Sequence, residues 1–580
     1  MFDKTGSLRA ARFFLALVTL AGATEVRAQS EQPEAASGYL PRPALSSSDF
    51  MVVSANAHAS DAAAEILQLG GNALDAAIAA QWVLNLVEPQ SSGVGGGGFL
   101  LHWDAGRGQL TAWDGREVAP RSASADFARR PDGSFAGFDE LVATGKSVGV
   151  PGLVAMFEAA HQRYGKLRWE RLARPAIRLA ENGFAISPRL HRLLSEDRWL
   201  RQNPSAFALY YLESGDAKPV GTILRNPEFA ASLHAIAVAG ADALHKDDLA
   251  TRIVAAVRQR GGLLTTADMQ DYKPKRREAV CGPYRQWRIC GMPPPSSGGI
   301  TILQLLGLLE STGLPMGDPM MTDTAHVFAE AGRLAYADRA RYLADPDFVT
   351  VPQRALLDSR YLNLRARSIG PRHTKGVAAP GDLPERHTQA DDNAPELPAT
   401  THISIVDREG GAVALTSSIE SAFGSRIQVG GFLLNNQLTD FSFAAERDGK
   451  LVANRLEPGK RPLSSMSPTM VFDAGGKLYA VLGSPGGSRI INYVAQTLVA
   501  LLDGRLDPAR AVASPHVGNR NGATEIERGS AADVLALELE RRGHTIKRDD
   551  MTSGLHLILR VGDRWVGAVD PRREGVARGE

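Results

Sequence analysis

The sequence predicts a layered α/β domain, strands inside and helices outside, built jointly by two parts of one chain. Three observations predict it. Alternating β patterns occur both before residue 115 and after residue 400 of the 580-residue chain. The stretch from about 150 to 275 is mostly helical by its apolar periodicity. A run rich in Pro, Asp and Glu, from 377 to 399, separates the two parts and is the one candidate interior linker.

The elements follow in order. Residues 29–50 are Pro- and Ser-rich and read as a mobile N-terminal segment. Ser60-Asp61 can cap a helix through Leu69, which Gly70-Gly71 ends, and a second Ala-rich helix covers 72–86. The glycine-rich turn 91–98 leads into strands 99–103 and 110–114; no Gly-Lys-Ser/Thr follows, so tight backbone packing is expected there rather than a phosphate loop. A helix over 325–343 ends at Asp345-Pro346. Strand patterns over 402–406 and 412–415 flank the turn 407–411. Hairpins are expected over 470–482 and 555–569, and helices over 489–502 and 531–542.

Composition narrows the function. A formal charge of +1, with one short basic run at 273–277, excludes nucleic acid as a main partner. Lys4, Arg9 and Arg12 precede an apolar run over 13–23, and Val26-Arg27-Ala28 offers a cleavage site, so 1–28 reads as a secretory signal peptide. Its removal takes away four basic and two acidic groups and leaves a charge of −1. The run is too short to span a bilayer. A periplasmic or secreted product without membrane insertion is expected. If Arg285-Gln286 is a two-residue hairpin loop, Cys281 and Cys290 face each other across it, and an oxidising compartment then permits a disulfide; two buried free thiols are the alternative.

Thr400 stands at the seam where the linker stops and a sheet pattern begins. Thr is common in strands, so alone it is an ordinary strand start. If the Ala399–Thr400 bond is cut, however, one residue carries both a hydroxyl nucleophile and the free amine that activates it. Three later motifs favour that reading. Residues 433–441 place an amide and a carboxylate, Gln437 and Asp440, three apart. Residues 461–469 form a Ser-rich polar insertion. Gly483-Ser484-Pro485-Gly486-Gly487 joins a strand to a helix, where free backbone N–H groups can receive an oxyanion.

In this order the motifs resemble the γ-glutamyltransferase (γ-glutamyltranspeptidase) family. The resemblance runs from 52 to 570 and is strongest at 89–99, 116–120, 292–300, 400–407, 435–441, 462–469 and 483–489. It implies the N-terminal-nucleophile hydrolase fold, an αββα sandwich, and self-cleavage into a large subunit (29–399) and a small one (400–580) that stay together as a heterodimer. It implies Thr400 as nucleophile, Ser418 as the hydroxyl bonded to it, and Gly486 and Gly487 as oxyanion donors. Arg116, Ser464 and Ser465 match groups on the substrate α-carboxylate. Gln437 and Asp440 match groups on the α-ammonium. Glu420 stands where many members carry Asn, which makes that end of the pocket more acidic. The segment 443–457 corresponds to the family's lid loop but is shorter and holds no Tyr or Trp.

The implied donors are γ-glutamyl compounds such as glutathione, and the acceptors are water, amino acids or peptides. A glutaryl (cephalosporin) acylase of the same fold is the nearest alternative, but a glutaryl group has no ammonium for Gln437, Asp440 and Glu420 to hold. A non-catalytic γ-glutamyl-binding protein is a third. No HExxH and no GxSxG elbow joining a strand to a helix occurs, and the 13 His are scattered along the chain, so neither a metal nor another cofactor is implied. His402 is expected to pack or hydrogen-bond beside Thr400 rather than act as a base.

Overall fold

The computed structural model describes residues 36–373, 376–384, 389–394, 399–529 and 531–580. The expected signal peptide lies outside the described residues, as do 385–388 and 395–398 of the expected linker.

Two seven-stranded antiparallel sheets form the centre. The first runs Val576–Gly579, Met51–Ser54, Ala399–Val406, Ala412–Glu420, Gly97–Asp104, Gln109–Asp114, Lys275–Arg277. The second runs Leu45–Ser47, Arg564–Val569, His556–Val561, Leu478–Gly483, Thr469–Phe472, Trp287–Gly291, Val280–Tyr284. Strand Ala399–Val406 of the first sheet packs on Leu478–Gly483 and His556–Val561 of the second. Helices Ala57–Gln68 and Ala73–Val87 cover the outer face of the first sheet. Helices Gly298–Ser311 and Ile490–Leu502 cover the second, with Thr322–Tyr342 packed on Gly298–Ser311. This is the expected αββα sandwich.

Alternation along one strand explains the layering. In Ala399–Val406 every residue is buried. Ile403 and Ile405 join the core beneath the outer helices, while Val406 joins the core shared with the second sheet. Successive side chains point to opposite faces, so Thr400 and His402 share the inter-sheet side.

Several boundaries differ from the sequence reading. The first helix starts at Ala57, because the Asn56 side chain accepts the His58 N–H and caps it; Ser60 is a buried residue inside the helix. The second helix has its cap at Asn72, in a box with Asp75. Residues 45–47 of the supposedly mobile segment form a strand against Arg564–Val569, and Phe50 is buried. In the glycine-rich turn, a Cβ on Gly96 would lie 2.2 Å from the Ser418 carbonyl oxygen, so close backbone packing is its purpose. Cys281 and Cys290 are directly opposite, 4.1 Å apart at Cα, and form the disulfide. Among the described residues, no helix is long and apolar enough to cross a membrane.

Candidate active site

Thr400 lies at the start of its strand, 4% exposed, directly opposite Ser418. The pairing skips a residue at this point: Ala399 faces Glu420 and Thr400 faces Ser418. Ile419 is thereby left out of register, a bulge of the kind that re-aims side chains at sites. Ser418 Oγ donates to the Ala399 carbonyl oxygen at 2.6 Å and accepts the Glu420 N–H at 2.8 Å. Glu420 itself has φ 80°, which turns the chain out of the strand.

One cavity, about 280 Å³ counting the space open to solvent, is lined by Arg116, Thr400, Ser418, Glu420, Gln437, Asp440, Ser464, Ser465, Met466, Gly487 and Ile490. Nine of the ten site residues expected from sequence therefore meet in one place. Gly486 is the exception: it adjoins the lining without being part of it. Its φ of 137° and a Cβ position 2.6 Å from the Tyr493 ring leave room for glycine alone.

The polar groups arrive from different elements. Arg116 follows strand Gln109–Asp114, and the Asp114 carboxylate fixes its backbone N–H at 2.9 Å. The Arg116 guanidinium donates to the Leu463 carbonyl at 2.9 Å and pairs with Asp440 at 2.5 Å. Gln437 and Asp440 lie on one short 3₁₀ turn, where Gln437 Nε2 donates to Asp440 at 2.7 Å. Asn436 donates to the Glu420 carboxylate. The serine pair is held from behind: Ser297 N–H and Oγ both donate to the Ser464 carbonyl, and Arg339 Nη2 donates to Ser465 Oγ at 2.9 Å.

Glu117 is the electrostatic anomaly. It is fully buried 3.9 Å from Arg116, and neither carboxylate oxygen has a hydrogen-bond partner among the described residues. Burial pushes its carboxyl up to about 8, against the pull of Arg116. His402 behaves as expected. It bonds Thr416 and Ser404 at 2.8 and 3.1 Å, and burial holds the ring well below its ordinary value, hence neutral.

Sequence reasoning missed Arg339, which sits on helix Thr322–Tyr342 with no motif around it. It also missed Arg573, whose guanidinium donates to the Thr400 carbonyl oxygen at 3.3 Å. Asn436 lies inside the 433–441 motif, beside Gln437.

The chemistry available is that of a hydroxyl beside a hydrogen-bonded peptide carbonyl, a cation, two carboxylates and a glycine turn. Comparison with known proteins agrees. The family model described as gamma-glutamyltranspeptidase matches residues 59–580. The chain is 37% identical over 537 residues to the glutathione hydrolase proenzyme of Escherichia coli (strain K12), covering 90% of each. It is 35% identical over 545 residues to that of Bacillus subtilis (strain 168), covering 92% of this chain and 91% of the relative. Among solved structures, a cephalosporin acylase from Bacillus halodurans superposes with TM-score 0.81 at 26% identity, covering 93% of this chain and 97% of that one.

Proposed function

Because the chain belongs to the γ-glutamyltranspeptidase family, we propose that it cuts itself between Ala399 and Thr400 and then uses Thr400 to take γ-glutamyl groups from glutathione and related amides. The observation that carries this reading is the convergence of Thr400, Arg116 and Asp440 on one cavity.

A γ-glutamyl donor presents a zwitterionic head and a remote amide. Arg116, with Ser464 and Ser465, takes the α-carboxylate; a planar guanidinium suits it because it donates two parallel hydrogen bonds. Asp440, Gln437 and Glu420 take the α-ammonium. Holding both charges fixes the amide carbonyl over Thr400 and turns binding into orientation. The Thr400 amine accepts the hydroxyl proton as Oγ1 attacks. The oxyanion forms against the Gly486–Gly487 turn, and the amine leaves with the proton. The γ-glutamyl ester then passes to water, or to the amine of an amino acid or peptide. Under the same reading residues 1–28 direct secretion, and 29–399 and 400–580 remain together as a heterodimer.

A glutaryl acylase is the second reading, and the similarity to the cephalosporin acylase favours it. Two carboxylates and an amide at the ammonium end weigh against it, since a glutaryl group leaves them unpaired. The test is N-terminal sequencing of the purified protein with turnover of γ-glutamyl and glutaryl anilides. A second chain starting at Thr400 and faster γ-glutamyl turnover are expected. Full activity in one continuous polypeptide, or preference for the glutaryl anilide, overturns the proposal.

A further inference from the structure

Three histidines far apart in sequence meet around one glutamate on the far side of the second sheet's helices. His326 and Glu330 lie one turn apart on helix Thr322–Tyr342, 1% and 0% exposed. His373 comes from the segment after helix Ser359–Ala366, anchored by its N–H to the Arg542 carbonyl at 2.9 Å. His544, 4% exposed, comes from the turn after helix Ala532–Arg541. Glu330, His373 and His544 each offer a ligand atom, and these atoms all lie within 4.8 Å of one another. We propose that Glu330, His373 and His544 form a binding site for one divalent transition-metal ion of the Zn²⁺ class, with His326 orienting His544.

The donor set selects the ion. Two imidazoles and one carboxylate suit Zn²⁺, Co²⁺ or Ni²⁺, whereas Ca²⁺ and Mg²⁺ require oxygen donors throughout. Zn²⁺ at about 2.0–2.1 Å from each ligand needs donor atoms roughly 3.4 Å apart, so the His373 and His544 rings, now stacked with centroids 4.5 Å apart, must turn their nitrogens toward the ion as it enters. His373 Nδ1 already meets Glu330 Oε1, and the ion would take the place of the hydrogen between them.

The surroundings are those of a supported site. The Gly370 carbonyl can only accept, so His326 Nε2 donates to it at 2.8 Å, and His326 Nδ1 then accepts from His544 Nε2 at 2.7 Å. The other nitrogen of His544, Nδ1, bonds the Thr524 hydroxyl at 2.8 Å and would exchange that bond for the ion. The His326–Gly370 relay is the outer partner that fixes the ligand ring's orientation. Arg333 holds the second oxygen of Glu330 at 3.0 Å, and Arg542 is paired with Asp323. His326, which bonds His544, also lines a surface cavity with Gly370, Asp323 and Arg542.

The site is structural rather than catalytic. Glu330 lies nine residues before Arg339 on one helix, about 13 Å along its axis, and Arg339 is the residue that reaches the catalytic cavity. Glu330 and His373 precede the Ala399–Thr400 bond and His544 follows it. If the proposed cleavage occurs, the ion ties one product chain to the other.

The test uses the processed wild-type protein, stripped with a chelator and titrated calorimetrically with ZnCl₂, beside His373→Gln. One Zn²⁺ per chain is expected for the wild type and at least tenfold weaker binding for the variant, with γ-glutamyl anilide turnover within twofold in both. Absence of a one-to-one site, or equal binding by the variant, overturns the proposal. X-ray absorption of the Zn²⁺-loaded wild type checks it without mutation: a first shell lacking imidazole overturns it too. Metal binding is read independently of turnover, so failure here leaves the catalytic proposal standing, and the reverse holds.

Discussion

Ser418 donates its hydroxyl to the Ala399 carbonyl oxygen at 2.6 Å, from the position directly opposite Thr400 in the neighbouring strand. That carbonyl is the one a Thr400 attack on its own peptide bond would convert to an oxyanion. The bond strengthens as charge develops on the oxygen, so it favours scission over the resting chain. Ser418→Ala should slow self-cleavage about 10- to 100-fold, the worth of one buried donor, and Ser418→Thr should retain most of the rate. Thr400→Ala should leave only precursor. Gel time courses of freshly purified protein decide each case, and wild-type cutting by Ser418→Ala would remove the hydroxyl from the reaction.

The Arg116 guanidinium binds Asp440 and the Leu463 and Pro462 carbonyls through several edges of one planar group. Arg116→Lys keeps the charge but loses the fork. KM for a γ-glutamyl anilide should rise at least tenfold with a smaller change in kcat, as for a lost ground-state contact. Initial-rate kinetics check this, and an unchanged KM would place the α-carboxylate elsewhere.

Glu117 predicts a pH dependence. Its folded value, near 8, lies above the ordinary carboxyl value of 4.5. The native state therefore holds a proton that the unfolded chain has released. The associated stability is fully present below about 4.5 and is lost as pH rises to about 8. Above that, an ionised Glu117 competes for Arg116, and KM should climb. Glu117→Gln should flatten both the pH–stability curve between 4.5 and 8 and the alkaline rise in KM. Thermal melts and KM profiles measure the two, and identical profiles in variant and wild type would sink the assignment.

Arg339 bridges Ser297 and Ser465 at 2.8 and 2.9 Å. It is a positioning residue for the carboxylate end of the cavity. Arg339→Gln should raise KM several-fold, and combining it with Ser465→Ala should cost less than the sum of the two, because each breaks the same link. Additive effects would separate Arg339 from the serine.

Local motifs made much of this site legible. Gln437 and Asp440 share a turn, and Gly486 and Gly487 share another, so their spacing in sequence survives as proximity. Arg339 and Arg573 were invisible because each reaches the site from a long element or a terminal segment with no nearby partner in sequence. Strands Leu45–Ser47, Met51–Ser54 and Val576–Gly579 were missed for a related reason. Each is only three or four residues long and is defined by pairing with a distant partner rather than by its own pattern. Asn56 outdid Ser60 as a cap because Ser60 is turned inward, donating to the Val576 carbonyl at 2.7 Å. The 13 scattered His concealed the trio His326, His373 and His544, since only tertiary packing unites them.

The strand order of the first sheet has a consequence for the life of the protein. Ala399–Val406 lies between Met51–Ser54, from before the seam, and Ala412–Glu420, from after it, and Val576–Gly579 closes the edge on Met51–Ser54. The two parts are laced together like alternate fingers, so the chain has to assemble while it is still a single thread. If the proposed cleavage at the seam occurs, a heat-unfolded molecule is two strangers that must meet again, and its recovery should fall with dilution. A Thr400→Ala thread should recover at a rate indifferent to concentration.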